Sequence, residues 1–205
     1  MVKYIIGIAG GSGVGKSTLL KILDDKYANN IAKITLDNYY LPIEDQQKDE
    51  NGKINFDLPT ALNIAAIKAD IAELLSDKVV HRKKYNFNNA DEAVISILIE
   101  PKPILIIEGL FVFHFDFINS ILDLKVFITV DEKLQLQRRL ERDFRERKIT
   151  EEDALYQWHN HVLPSNKAYI EPYKDAADIV LVNNEKFDEN ILILEQKIEA
   201  VISAQ

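Results

Sequence analysis

The stretch Gly7-Ile8-Ala9-Gly10-Gly11-Ser12-Gly13-Val14-Gly15-Lys16-Ser17-Thr18 decides how the rest of this 205-residue chain is read. Five of the chain's 7 glycines fall inside it, and the pattern G-x-x-x-x-G-K-[ST] runs from Gly10 to Ser17. An apolar run, Tyr4 to Ala9, leads in, and Leu19, Leu20, Ile22 and Leu23 follow at helical spacing. A strand, a glycine loop and a helix in that order are the setting of a phosphate-binding loop. Glycines let successive N–H groups curl into one concavity, and the helix start adds its partial positive charge. In that geometry Lys16 reaches the β- and γ-phosphates and the Ser17 hydroxyl ligates Mg²⁺. Gly10, Gly11, Ser12, Gly13, Val14, Gly15 and Thr18 complete the cradle. The plainer alternative is a glycine-rich turn without a ligand, and the presence of strand, loop and helix together weighs against it. A nucleoside triphosphate is the expected ligand.

Working outward, helical spacing extends from Lys16 to about Tyr27, and Ile31–Leu36 reads as a second strand ending at Asp37. The polar stretch Glu44 to Lys53 reads as a mobile surface loop, a kind of segment that often carries function. Pro59 opens an amphipathic helix with Leu62, Ile64, Ile67, Ile71, Leu74 and Leu75 at helical spacing. Residues 79–99 read as a hairpin inserted into the alternation of strands and helices. Pro103–Ile107 is a continuous apolar run, as expected of a buried parallel strand, and Glu108 ends it. Leu124–Val130 and Asp178–Val182 are further strands. Glu132 to Lys148 is a charged helix, Thr150 caps the next one, and Asp188–Ile202 closes the chain.

Strands alternating with helices predict an α/β fold, a parallel sheet with helices on both faces. The expected plan is one nucleotide-binding domain spanning residues 1–205, with the hairpin at 79–99 and a helical lid over 132–160. Ligands in such sheets sit at the carboxyl ends of the strands, so Gly10, Asp37, Glu108 and Asp131 should meet at one edge. The net charge of −8 argues against a nucleic-acid or membrane-surface binder. The absence of cysteine excludes disulfides and thiolate metal sites. No apolar run approaches the ~20 residues that span a bilayer, and the first strand starts too early to leave room for a signal peptide. A soluble cytoplasmic protein is expected.

Several side chains at that edge suit phosphoryl transfer. Asp37 either positions and deprotonates an acceptor hydroxyl or simply forms an Asx turn. Glu108, at the end of Ile-Leu-Ile-Ile, is costly to bury without a partner, which favours a role at Mg²⁺ over a structural acid. Between Arg138 and Lys148 six basic residues stand against three acidic ones. That pattern fits a solvated helix, but beside a phosphate loop it also fits a lid whose cations cover a triphosphate. Tyr39, Tyr40, Phe56, Tyr85 and Phe87 could stack on a planar ring or belong to the core. His81-Arg82-Lys83-Lys84 reads as a solvated hairpin edge, and the four histidines have no metal-ligand spacing and receive no site.

Taken together, Asp37-Asn38-Tyr39-Tyr40, Asn55-Phe56-Asp57-x-Pro59, Tyr85-x-Phe87, Ile107-Glu108-Gly109, Arg138-Arg139-x-x-Arg142-Asp143, Val162-x-Pro164 and Glu171-Pro172-x-Lys174-x-x-Ala177-Asp178 resemble the uridine kinase (uridine–cytidine kinase) family, in its order, over residues 3 to 183. The resemblance implies a P-loop kinase that moves the γ-phosphoryl of ATP to the 5′-hydroxyl of a ribonucleoside. It implies Asp37 as general base, Lys16 and Arg142 as catalytic partners, and Ser17 and Glu108 around Mg²⁺. Arg139, Arg142 and Arg147 would close over the phosphates. Tyr40, Phe56, Asp57, Tyr85 and Phe87 would line the nucleoside pocket beside Asp37, with Asp57 near the ribose. A small-molecule partner and a homo-oligomer follow from the same resemblance. Two departures stand out: Ala90 and Glu92 occupy positions where the family usually has histidine and arginine, and Ile149 replaces the second arginine of its lid. A kinase for another small alcohol (nicotinamide riboside, pantothenate or a sugar phosphate) is therefore a second expectation. A weakly active regulatory module is a third. A GTPase switch is disfavoured, because Asn166-Lys167-Ala168-Tyr169 lacks the aspartate that reads guanine.

Overall fold

A computed structural model describes residues 1–86 and 95–204 of the chain. Its centre is a five-stranded, all-parallel sheet in the order β2-β5-β1-β6-β7. The strands are β1 (Tyr4–Ala9), β2 (Ile31–Thr35), β5 (Ile104–Gly109), β6 (Leu124–Thr129) and β7 (Ile179–Val182). Every residue of β5 is buried, which explains its apolar run Ile104–Ile107. Alternation sorts the side chains between two cores. Ile5, Leu105, Ile107 and Ile34 meet α2 (Ile64–Leu75) and the Phe111–Phe113 turn on one face. Ile6, Ile8, Ile104, Ile106 and Ile128 meet Leu19 and Leu23 of α1 (Lys16–Tyr27) and Leu194 and Ile198 of α7 (Asn190–Ser203) on the other. The predicted parallel sheet with helices on both faces is the observed one.

A separate antiparallel hairpin, β3 (Val80–Lys83) and β4 (Ser96–Ile99), corresponds to the inserted hairpin. Phe87, Ala90 and Glu92 lie outside the described residues. Between β5 and β6 sits a short helix, α3 (Asp116–Asn119). After β6, α4 (Glu132–Arg147) is capped by Asp131, whose side chain accepts from the Lys133 N–H. The Thr150 side chain caps α5 (Glu151–Gln157) by accepting from the Asp153 N–H, and a helical path then continues to Ala176. That path includes two widened π turns, Trp158–Val162 and Asn166–Ile170, flanking α6 (Leu163–Ser165).

Three local expectations need correction. Pro59 opens only a short 3₁₀ turn, Pro59–Ala61. The helix itself starts after Asn63, whose side chain accepts from the Ala66 N–H. An Asn cap outranks a nearby proline as a start signal because it satisfies a donor. The 44–53 stretch is tied down rather than loose. Gln46 is buried and donates to the carbonyls of Leu41 and Ala61, and Lys48 pairs with Ile54. Arg82 is not a solvated edge residue. It donates two hydrogen bonds to Asp70 (2.8 and 2.5 Å) and stacks on Tyr39 at 4.5 Å.

Candidate active site

The carboxyl ends of β1, β2 and β5 open on a cleft of about 790 Å³. That is within the roughly 300–1,000 Å³ usual for small-molecule sites. Its floor is the loop from Gly10 to Gly15. The loop's carbonyls are engaged by the surrounding protein. Lys16 Nζ donates to Gly10 O (3.0 Å) and Gly11 O (3.1 Å), Gln135 Nε2 to Ser12 O (2.7 Å), and Asn183 Nδ2 to Val14 O (2.8 Å). Gly15 adopts φ 103°, and a Cβ there would lie 2.2 Å from Asn183 Nδ2, so strain and space both require glycine. Beyond it, the first N–H groups of α1 have no intrahelical partner, and Ser17 and Thr18 line the cleft mouth.

Register brings the acids to the same place. Glu108 pairs with Ile8 of β1 on one side and Thr35 of β2 on the other, and the Thr35 hydroxyl bonds it. Two residues past Thr35, a 3₁₀ turn (Leu36–Tyr39) carries Asp37 into the cleft. Burial, and then the charge of Asp37, push the Glu108 carboxyl up to about 7, with Lys16 and Thr35 opposing. Burial likewise lowers Lys16, against the pull of Glu108 and Asp37. These three groups therefore sense one another directly. The oxygen groups lining the cleft here, the Ser17 hydroxyl and the Asp37 and Glu108 carboxylates, are the hard donors that suit Mg²⁺. Among the described residues no group of three His, Cys, Asp or Glu could hold a metal alone.

The far wall comes from α4. Asp143 is fully buried and gathers three guanidiniums, with Arg139 Nε at 3.2 Å, Arg142 Nη2 at 2.8 Å and Arg147 Nη1 at 3.4 Å. Arg142 also donates to Ser12 Oγ (3.1 Å), so this helix already lies across the loop. Arg139 turns the other way, towards Asp57 (3.7 Å) and the Gln157 side-chain oxygen (3.2 Å). Arg138 is spent structurally, donating to the carbonyls of Asn183 and Asn184. Burial and the neighbouring Arg142 push Arg147 down from its ordinary range, with Asp143 and Asp37 opposing.

Aromatic rings close the end beside Asp57. Tyr40 meets Phe56 edge-on at 5.7 Å and Tyr85 at 5.3 Å. Burial, with the charges of Asp37 and Asp57, raises the Tyr40 hydroxyl well above its usual value. Of the sequence-predicted residues, Ser12, Gly13, Gly15, Lys16, Ser17, Thr18, Asp37, Tyr40, Phe56, Asp57, Glu108, Arg139, Arg142 and Arg147 line one cleft. Gly10, Gly11 and Val14 form the loop behind it, Tyr85 packs on Tyr40, and Phe87 lies outside the described residues. Ile149, noted in the sequence as a departure at the lid, lines it as well. Lys53, Gln157 and His161 also line it without having been singled out as site residues. Their only signal in the sequence was membership of a polar loop and of a helical stretch.

Comparison with known proteins shows the family. The model of the phosphoribulokinase / uridine kinase family matches residues 5–188. A uridine kinase of Halobacterium salinarum is 30% identical over 98% of this chain and 88% of its own length. One from Lactobacillus helveticus is 33% identical over 97% of this chain and 95% of its own. Among solved structures, phosphoribulokinase from Rhodobacter spheroides covers 89% of this chain, and 70% of that chain is covered, at TM-score 0.63 and 14% identity, a likeness of fold alone.

Proposed function

Because the chain belongs to the phosphoribulokinase / uridine kinase family and is a phosphotransferase acting on an alcohol, we propose that it transfers the γ-phosphoryl of ATP to the 5′-hydroxyl of a ribonucleoside, uridine or cytidine. The observation that carries this reading is the single cleft in which Lys16, Asp37 and Glu108 face Tyr40, Phe56 and Asp57.

In this reading residues 1–205 form one kinase domain. Lys16 exchanges its bonds to the Gly10 and Gly11 carbonyls for phosphate oxygens. Arg142 and Arg147 cover the triphosphate from α4, and Arg139 spans from them to Asp57. Ser17 and Glu108 would hold Mg²⁺, which supplies charge neutralisation at the phosphates. Asp37 accepts the proton of the attacking hydroxyl. Tyr40, Phe56 and Tyr85 flank the base, and Asp57 takes the ribose hydroxyls. The chemistry is mainly positioning and electrostatics, as phosphoryl transfer requires.

A second reading keeps the mechanism and changes the acceptor to nicotinamide riboside, pantothenate or a sugar phosphate. What supports it is the pair Ala90 and Glu92, which stand where the family usually has histidine and arginine. A coupled ADP-release assay with Mg·ATP against these acceptors separates the two. Turnover on uridine or cytidine supports the first reading, and turnover on another alcohol alone supports the second. No transfer, with ATP still bound, would leave a regulatory nucleotide-binding module instead.

A further inference from the structure

Asp49 stands at the turn that joins Lys48 to Ile54, and it accepts four hydrogen bonds. Its Oδ1 takes the backbone N–H groups of Asn51 (2.9 Å) and Lys53 (2.8 Å). Its Oδ2 takes the Tyr156 hydroxyl (2.7 Å) and His161 Nε2 (2.8 Å). The Tyr156 hydroxyl in turn accepts from Asn51 Nδ2 (2.7 Å). Burial works against the charge of Asp49, but these donors outweigh it and hold the carboxyl down to about 2. At neutral pH Asp49 is then an acceptor only.

That fixes the imidazole. A carboxylate has no proton to give, so the proton in this contact belongs to His161 Nε2, and in the neutral ring Nδ1 is an acceptor. Nδ1 has no hydrogen bond among the described residues, although the side chain is 99% shielded. It is not among the sealed polar atoms of the interior, and the ring lines the cleft. His161 sits in the π turn Trp158–Val162, a widening of the helix often found where a side chain is aimed at a site. One turn earlier is Gln157, bonded to Arg139 beside Asp57, and the Asp49–Ile54 segment runs on into Phe56 and Asp57. His161 therefore belongs to the Asp57 end of the cleft rather than to the phosphate end.

We infer that His161 is a specificity-determining residue for the phosphate acceptor. Its Nδ1 accepts a hydrogen bond from an O–H or N–H of that substrate other than the reacting hydroxyl, and Asp49 is the positioning residue that sets the tautomer. This rests on the phosphotransfer reading above. An acceptor without a donor at that point leaves a shielded nitrogen unpaired, and sites built this way reject such analogues strongly.

The test compares wild type, His161→Gln and Asp49→Asn at saturating Mg·ATP with uridine, cytidine and nicotinamide riboside. Glutamine can place an amide N–H where imidazole Nε2–H was, which keeps the bond to Asp49 while Nδ1 is lost. His161→Gln should raise the acceptor KM about tenfold, with kcat and the KM for ATP changed by less than about twofold. In ¹⁵N-histidine NMR the Nδ1 signal that His161→Gln removes should move when a turned-over acceptor joins protein loaded with a non-hydrolysable ATP analogue. Asp49→Asn should alter the tautomer signature of that same ring. An active wild type whose acceptor KM survives His161→Gln, or an Nδ1 signal that ignores the acceptor, overturns the inference alone. A wild type that phosphorylates none of these three, nor pantothenate or a sugar phosphate, removes the phosphotransfer reading and this inference with it.

Discussion

Asp37 owes its position to neighbours that do not line the cleft. Tyr39, two residues on, donates its hydroxyl to Asp70 (2.8 Å), and Arg82 closes the same carboxylate from the hairpin. Asp37→Asn keeps the size of the side chain and removes the proton acceptor. It should lower kcat by about two to four orders of magnitude while equilibrium binding of ATP, followed by calorimetry, stays within a few-fold. A different carboxylate contributes to acid stability. Asp49 has its folded pKa at about 2, below its ordinary 3.8. Its contribution is thus complete above about pH 4 and is lost as pH falls through about 2. The difference in urea midpoint between wild type and Asp49→Asn should shrink as pH is lowered from about 5 towards 2. These two aspartates differ in how legible they were. Asp37 and Glu108 could be singled out because each directly follows an apolar strand, and strand ends converge in a parallel sheet. Asp49 and His161 are 112 residues apart. No local pattern links a polar loop to a histidine whose helix face depends on a π turn.

At the scale of elements, α4 acts as a plate on which three guanidiniums are fixed by one sealed carboxylate. Asp143→Ala would leave Arg139, which is itself buried, without its i+4 partner and release Arg142 and Arg147 from their common anchor. Removing one member of a buried ion cluster costs about 3–5 kcal/mol, so chemical denaturation should show a loss of that order. The KM for ATP should rise as well, because the arginines lose their fixed geometry. Periodicity identified α4 and α1 with nearly their observed limits, since both carry apolar or charged faces at helical spacing. It did not separate Pro59 from Asn63 as a helix start. Nor could it indicate the widened turns after Gln157, where an extra residue per turn leaves the local composition unchanged.

At the scale of the whole molecule, the described residues form a sheet between two apolar layers, with the candidate site at one edge. That separation predicts mutations that weaken the fold without touching the site. Ile198→Ala, on α7 against the far face, should cost about 2–5 kcal/mol in unfolding free energy, and the KM values at permissive temperature should be unchanged. Ligand should act in the opposite sense. Mg·ATP at 100 times its dissociation constant should add about 2.7 kcal/mol, visible as a rise in Tm. The long helical path from Glu151 to Ala176 joins these scales. Each π turn holds one residue more than the pitch of an ordinary helix would accommodate, so the path behaves like a screw with two spare threads. Taking out Asn160, whose side chain is exposed and donates to Tyr156 O (2.8 Å), would let the first of them close. The helix on either side would then keep its facing, and only the residues inside the widened turn, His161 among them, would be re-aimed. A chain shortened by that one residue should keep its sheet and helix content by circular dichroism, yet lose the histidine's bond to Asp49.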